Sequence, residues 1–545
     1  MLTENYTDIV WQSIFESWDK PAVANYKSDT YLYSEVAQYI YRFDQLFEKC
    51  GIKKGDKISL IGKNAAEWCI AYQSIVLRGS VVVPILPNFT PSDVQHLINH
   101  SDSTALFVNN NHWETLNIES MPNLKIVISL DDFSILYLKD KKFYFYVNEF
   151  KTGLLQKLEK DEILTKRAEN HDLFAIIYTS GTTGFSKGVM LTHNNMMGNL
   201  VFIRTYLPLK NGSKILSFLP LAHAYGCMVE FIYPFSIGAH ITLLGKMPSP
   251  EILLKAFGEV RPHLIVFVPL ILEKIYKKKI KPLLDKKGVK ILNNIPFVNR
   301  LIFKKIKDKL MENFGGNFYQ IIIGGAALNE EVQQVLHKAG FPITVGYGMT
   351  ECVPLISYSD WKDFRLYSAG QKVGFMEMRI DSEDAENVVG EILVRGENVM
   401  SGYYKNQEAT DNVLDSEGWL HTGDMGTIDK DGYLFIKGRC KSMILSSNGQ
   451  NIYPEEIESK LNTYKLVQES IVVERKEGLV AIVYPDMALV DKKNIKEKTV
   501  LHIFDHYLDQ LNKELPNYMK VAKIELVAHE FEKTPKRSIK RFLYN

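Results

Sequence analysis

Between residues 55 and 110, short apolar runs alternate with longer segments in which apolar residues recur every three or four positions. Strands are predicted at 57–61, 81–85 and 105–108, with amphipathic helices at 65–77 and 92–98 between them. That rhythm predicts βαβ units and a largely parallel sheet. Similar strand-like runs recur at 215–218, 264–268 and 320–323, each followed by proline, glycine or polar residues, where open α/β sheets place their ligands. From about Gly390 the texture changes to short strands with turn pairs, at 390–394 and 431–436, which predicts antiparallel β-structure. A compact α+β tail then runs to Asn545. A glycine between a strand and a charged segment makes 438–442 a natural hinge. The expected fold is therefore α/β: a large N-terminal domain (1–437) of mixed and parallel sheets flanked by helices, with a small β-subdomain, and a hinged, smaller α+β C-terminal domain (438–545).

The balance of charges narrows the choice of partners. With 545 residues, 46% apolar and 24% charged, the chain has the composition of a soluble multidomain protein, and a formal net charge of +1 gives no global case for nucleic acid. The five cysteines, Cys50, Cys69, Cys227, Cys352 and Cys440, lack the paired spacing of a zinc site and suit a reducing compartment as buried thiols. No apolar run has signal or spanning length, so a cytoplasmic protein is expected.

Candidate chemistry concentrates at the ends of predicted strands. Residues 178–189, Y-T-S-G-T-T-G-F-S-K-G-V, follow an apolar run at 173–177 and crowd glycines, hydroxyls and Lys187 together. Glycines let backbone N–H groups turn toward an anion and hydroxyls add donors, so Thr179, Ser180, Gly181, Thr182, Thr183, Gly184 and Lys187 are candidates for holding phosphate. The spacing does not fit the Walker pattern G-x-x-x-x-G-K-[ST], and a surface loop is the plain alternative. Thr192 to Asn195 could cap the helix that follows. After the run at 320–323, Gly324-Gly325-Ala326-Ala327-Leu328 permits a planar ring to approach the backbone, or simply makes a tight packing turn. In Gly418-Trp419-Leu420-His421-Thr422-Gly423-Asp424 one carboxylate follows a sharp turn, suited to a ribose diol, a surface turn or an ion pair.

Thr-Ser-Gly-Thr-Thr-Gly followed by Lys-Gly resembles the signature of the acyl-adenylate-forming enzymes: acyl-CoA synthetases, amino-acid adenylation domains and luciferases. Ser186 replaces a usual proline, which alters loop stiffness more than chemistry. Gly346-Tyr347-Gly348-Met349-Thr350-Glu351 resembles the family's adenine and metal motif. The resemblance implies that Tyr347 and Gly348 border adenine near Gly325 and Ala326, that Thr350 contacts the α-phosphate, and that Glu351 binds magnesium. It also assigns the ribose to Asp424 and a ribose or phosphate contact to Arg439. The likeness extends from about Leu32 to the last ten residues, and implies ATP, Mg2+ and coenzyme A as co-substrates and cofactors. Residues 446–454 resemble the thioester-forming segment, with Gly449 leaving room for pantetheine.

Two departures bear on mechanism. Ser442 stands where the family hinge usually has aspartate, and Ser538 stands where its tail carries a catalytic lysine. Losing such a charge contact commonly costs on the order of 3 kcal/mol, or about a hundredfold in rate. In an extended tail Lys536 and Lys540 would flank Ser538 on one face, and either could replace it.

The acid is read from two further segments. Leu219 to Gly226 resembles the motif bordering the acyl pocket and would place His223 near the substrate carboxylate or pocket wall, unless His223 is a core histidine. It offers no aspartate for a substrate ammonium. Phe267 to Tyr276 resembles a segment of long-chain fatty acyl-CoA synthetases, with Leu270 replacing an arginine. The expected function is therefore an ATP-dependent ligase joining a fatty acid, long-chain by this likeness, to CoA through acyl-AMP. The alternatives are transfer to an acyl carrier protein and a catalytically degenerate acyl- or nucleotide-binding protein. Between Lys274 and Lys309, thirteen basic residues face two aspartates, interleaved with Leu301, Ile302, Phe303, Ile306 and Leu310. This pattern suits either a peripheral contact with a membrane surface or a solvated basic face whose apolar stripe packs on the domain.

Overall fold

A computed structural model describes residues 2–154, 156–180, 186–285, 296–445, 451–476, 478–492, 495–534 and 539–544. Its largest sheet has eight strands, in the order Gly402–Tyr403, Ser186–Thr192, Leu173–Ser180, Val81–Ile85, Lys57–Ile61, Ala105–Val108, Ile126–Ser129 and Ile135–Leu138. The central strands are parallel and the edges antiparallel. Val81–Ile85 is buried along its whole length, as a parallel strand covered on both faces must be. The helices Ala66–Val76 and Pro91–His100 fall where the pattern predicts them. The first is not amphipathic, however: every residue except Glu67 is buried, because Trp68 and Tyr72 pack edge-on against Phe231 from another layer.

Lys214–Ser217 and His240–Leu243 pair in parallel, and His240–Leu243 pairs in turn with Pro21–Asn25. Ile265–Phe267, Ile321–Ile323 and Ile343–Val345 form a third, fully parallel sheet. Four antiparallel strands, Met376–Asp381, Gly390–Gly396, Leu420–Ile428 and Leu434–Arg439, make the β-subdomain. The core packed around these layers includes Leu434, whereas a separate core begins at Ile452 and joins the helices Pro454–Leu461 and Glu497–Glu514 to the strands Val467–Arg475, Gly478–Pro485 and Val521–Leu526. The smaller unit docks through Asn329, whose side-chain amide donates to the Ser459 carbonyl at 2.8 Å, and through Lys277, whose ammonium donates to the Asn462 carbonyl.

The basic stretch is partly consumed in these contacts. Lys281 pairs with Glu331 at 2.8 Å and Lys278 with Glu251 at 3.1 Å. On the helix Pro296–Asn313, Phe303, Ile306 and Leu310 are buried in the core and only Leu301 is strongly exposed among the stripe residues, so the apolar stripe is not offered to a lipid surface. Among the described residues no helix is long and apolar enough to cross a membrane. Four cysteines are buried and Cys440 is half-buried.

Candidate active site

Leu173–Ser180 and Ser186–Thr192 form an antiparallel hairpin whose last pairs are Thr179 with Lys187 and Ser180 with Ser186. Gly181, Thr182, Thr183 and Gly184 lie outside the described residues, but the hairpin's base is well fixed. Thr192 and Asn195 exchange hydrogen bonds as the cap of the helix His193–Tyr206. The Tyr178 hydroxyl meets His100 Nδ1 at 2.7 Å, and the Tyr404 N–H donates to the Gly188 carbonyl at 2.7 Å. Lys187, on the inner end of this hairpin, holds its ammonium 4.8 Å from the centre of the Tyr403 ring.

Tyr403 joins Lys187 to Glu351. Its hydroxyl donates to Glu351 Oε1 at 2.9 Å inside the protein, and the Glu351 carbonyl accepts from Met400 N at 2.8 Å. Burial, followed by the neighbouring Glu351, pushes the Tyr403 hydroxyl well above the usual tyrosine range, which keeps it a donor. Thr350 and Glu351 open a 3₁₀ turn held from the far side by Asn199, which donates to the Cys352 carbonyl at 2.8 Å and accepts from Leu355 N at 3.0 Å. Gly348 is required here, since a Cβ at that position would stand 2.0 Å from the Pro354 carbonyl oxygen.

The strand Ile343–Val345 runs parallel to Ile321–Ile323, and Gly346 N donates to the Ile323 carbonyl, so the turn with Gly325 and Ala326 lies beside Tyr347. Gly325 has a φ of +86°, and both it and Ala326 are exposed. Tyr347 also reaches Asp424: its hydroxyl donates to Oδ2 at 2.7 Å, while Arg439 Nε lies 3.1 Å from Oδ1. Asp424 and Arg439 are cross-strand partners in the β-subdomain. Glu391 supports the turn before them, accepting Gly423 N at 2.8 Å through Oε1 and meeting His421 Nδ1 at 2.9 Å through Oε2. Burial raises the Asp424 carboxyl despite the opposing pull of Arg439.

Facing the Gly324 turn is the segment that carries His223. Tyr225 donates to the Ile322 carbonyl at 3.2 Å, and a Cβ on Gly324 would come within 3.0 Å of its ring. His223 is half-buried and precedes a helical run that widens into a π-helical turn at Cys227–Ile232. Leu270 is 44% exposed, on a helix whose Leu272 and Ile275 are buried. In the tail, Lys536, Ser538 and also Gly449 lie outside the described residues. Lys533 and Ile539 form an antiparallel bridge. Lys540 lies 3.5 Å from Glu532.

The donors present suit a nucleotide with its metal. No group of three or more histidine, cysteine or acidic side chains able to hold a metal occurs among the described residues. Magnesium needs none, because it binds through one or two carboxylates with phosphates and water supplying the rest, and the oriented Glu351 carboxylate fits that role. Sequence reading missed Tyr403 and the Tyr347–Asp424 bond. Their partners are 52 and 77 residues away, and a Gly-Tyr-Tyr run carries no periodicity that would mark it.

Residues 11–404 match the AMP-binding enzyme family and residues 441–544 match the AMP-binding enzyme C-terminal domain. The long-chain-fatty-acid–CoA ligase of Escherichia coli O157:H7 is 28% identical over 501 residues, covering 86% of this chain and 83% of the relative. The long-chain-fatty-acid–CoA ligase FadD15 of Mycobacterium tuberculosis is 28% identical over 454 residues, covering 78% and 72%. In fold, the chain resembles the anthranilate CoA ligase AuaEII in complex with anthranoyl-AMP, with a TM-score of 0.78, 20% identity, and coverage of 100% and 97%. With both of its domains matched over most of their length, the chain belongs to the AMP-binding enzyme family.

Proposed function

We propose that this protein is an ATP-dependent, AMP-forming acid–CoA ligase whose acid is a long-chain fatty acid. The observation that carries the reading is a pair of contact groups rooted four residues apart in the chain: Lys187 and Tyr403 against Glu351, and Asp424 and Arg439 against Tyr347. In the first half-reaction a carboxylate oxygen of the acid attacks the α-phosphorus of ATP and pyrophosphate leaves. In the second, the CoA thiolate attacks the acyl carbon and AMP leaves.

Lys187 and the hairpin would hold the outer phosphates, Thr350 would meet the α-phosphate, and Tyr347 would lie against adenine beside Gly325, Ala326 and Gly348. Asp424 would accept from the ribose hydroxyls, exchanging its Tyr347 or Arg439 contact for them. Glu351 would hold Mg2+, which neutralises charge on the phosphates when bound. The hinge at 438–442 would let the small domain serve both steps, with Gly449 at the thiol channel. A long apolar acid is supported by the names of the ligases above, by the Phe267–Tyr276 likeness, and by the absence of an aspartate between Leu221 and Gly226. His223 would border its carboxylate.

The pairing of Lys540 with Glu532 keeps a second reading in view, that of a protein that binds acid and nucleotide without releasing pyrophosphate. Pyrophosphate release with MgATP and palmitate, octanoate or benzoate separates these, with CoA or a phosphopantetheinylated carrier protein as acceptor. Palmitate-dependent release that needs CoA, and that falls on Lys536→Ala or Lys540→Ala, supports the ligase and identifies the replacement lysine. Release only from Ser538→Lys supports the binding protein, and preference for benzoate removes the fatty-acid assignment.

A further inference from the structure

Glu230 is wholly buried in the π-helical turn at Cys227–Ile232, and its two oxygens are treated very differently. Oε2 accepts three hydrogen bonds of 3.0 Å, from the Ser217 hydroxyl and from the N–H groups of Phe218 and Leu219. Oε1 has no partner. A buried acid is costly, and one serving only to fill space would be replaced by an apolar side chain without loss.

What Glu230 grips is specific. The chain leaves the strand Lys214–Ser217, passes through His223 and Tyr225, enters the helical run, and returns so that residue 230 holds residues 217–219. Asn64 closes the same segment from the other side, accepting Leu221 N at 3.1 Å and donating to the Leu219 carbonyl at 2.5 Å. Cys227 N donates to the His223 carbonyl at 2.9 Å. The segment carrying His223 is thus pinned before and after that residue. π-Helical turns recur at functional sites, where the extra residue re-aims side chains.

We infer that Glu230 is the positioning residue of the acid-binding segment: its carboxyl locks the loop from Phe218 to Gly226 and so sets where His223 and Tyr225 meet the substrate's acyl group. The inference rests on the ligase reading for the identity of the segment. Burial pushes Glu230 up to about 8, and with Oε2 already accepting three bonds the proton belongs on Oε1. Glutamine therefore reproduces the neutral group, with its amide oxygen in the place of Oε2, whereas alanine leaves two buried N–H groups unpaired.

The test is direct binding of cis-parinaric acid, a fluorescent fatty acid, alongside a fluorescent ATP analogue, for the natural chain and two variants. Glu230→Ala is expected to weaken parinarate by about tenfold or more while the ATP analogue changes by less than about twofold, since an unpaired buried donor is costly only where the loop must be held. Glu230→Gln is expected to stay within about threefold of the natural chain for both probes. Equal weakening of both probes, no weakening of either, or a glutamine variant as impaired as alanine would overturn the inference. Should Glu230→Ala not fold by circular dichroism, Glu230→Asp, one methylene too short to reach, takes its place. A natural chain that binds both probes but releases no pyrophosphate sinks the ligase reading and leaves the positioning role standing; one that does not bind parinarate sinks the positioning role.

Discussion

Tyr403 is a shared neighbour of Lys187 and Glu351, the proposed phosphate and metal residues. Its ring lies under Lys187 and its hydroxyl fixes one oxygen of Glu351, so it holds the two charged groups at a set separation without itself being charged. A group that hydrogen-bonds a metal-binding carboxylate typically changes metal affinity or activity by about 10- to 100-fold when removed. Tyr403→Phe keeps the ring and deletes only the hydroxyl. It is expected to lower acid-dependent pyrophosphate release at limiting Mg2+ by about tenfold, with partial recovery at saturating Mg2+ and little change in melting temperature. A magnesium titration of the variant against the natural chain checks this, and an unchanged titration curve would remove Tyr403 from the site. His193 shows the opposite use of a polar ring. It is fully buried, edge-on to Phe174 at 4.8 Å, with neither ring nitrogen partnered among the described residues, and burial lowers it to about 4. The unfolded chain binds a proton at His193 that the folded chain refuses, so this contribution to stability is complete above about pH 6.5 and lost as pH falls toward 4. By about pH 5 the loss is roughly 2 kcal/mol. His193→Phe is expected to remove that part of the acid sensitivity, read as a smaller drop in the large domain's melting temperature between about pH 7.5 and 5.

At the scale of elements, the strands at 57–61, 81–85 and 105–108 are legible in the sequence because parallel strands covered on both faces read as near-continuous apolar runs, interrupted in the first by Lys57 and the buried Ser59. The glycine-rich turns are legible for a related reason, since their chemistry is local. Gly348 is the clearest case: its hairpin brings the Pro354 carbonyl to where a side chain would begin. Gly348→Ala is expected to cost about 3 kcal/mol or more of local stability and to abolish binding of the ATP analogue, because the backbone must open before a Cβ fits. Binding at the natural level would show that the turn is not part of the nucleotide site. What the sequence could not display is any group whose meaning comes from a distant partner. Glu230 reads as an interruption in an apolar run until the strand end it holds is seen, and Ala66–Val76 reads as one-sided until the layer containing Phe231 covers its other face.

At the scale of the whole molecule the basic stretch at 274–309 changes meaning. Read along the chain it is a charged surface, yet Lys277 carries its ammonium to the end of the small domain's helix Pro454–Leu461, donating to the carbonyls of Asn462 and, at 3.4 Å, Val467. A cation at a helix C-terminus meets both the unpaired carbonyls and the negative end of the helix dipole. Burial lowers the Lys277 pKa, which the nearby Glu273 opposes. Lys281 adds a 3.4 Å contact to the Thr463 carbonyl from the next turn. These contacts join a helix of the large domain to the part of the chain beyond Arg439, so they bear on the docked orientation more than on either fold. Lys277→Met keeps the aliphatic stem and removes the charge, and should weaken docking by about 1 kcal/mol, a shift of about fivefold in the ratio of undocked to docked molecules. The expected readout is about fivefold faster tryptic cleavage after Arg439 or Lys441, with melting of the separate domains unchanged. Lys279→Met, an exposed neighbour, serves as the control and should leave cleavage unaltered. Equal cleavage rates for the Lys277 variant and its control would mean that docking is carried by other contacts, those of Asn329 and Lys281 among them, and that the lysine is held there by the small domain's position instead of setting it.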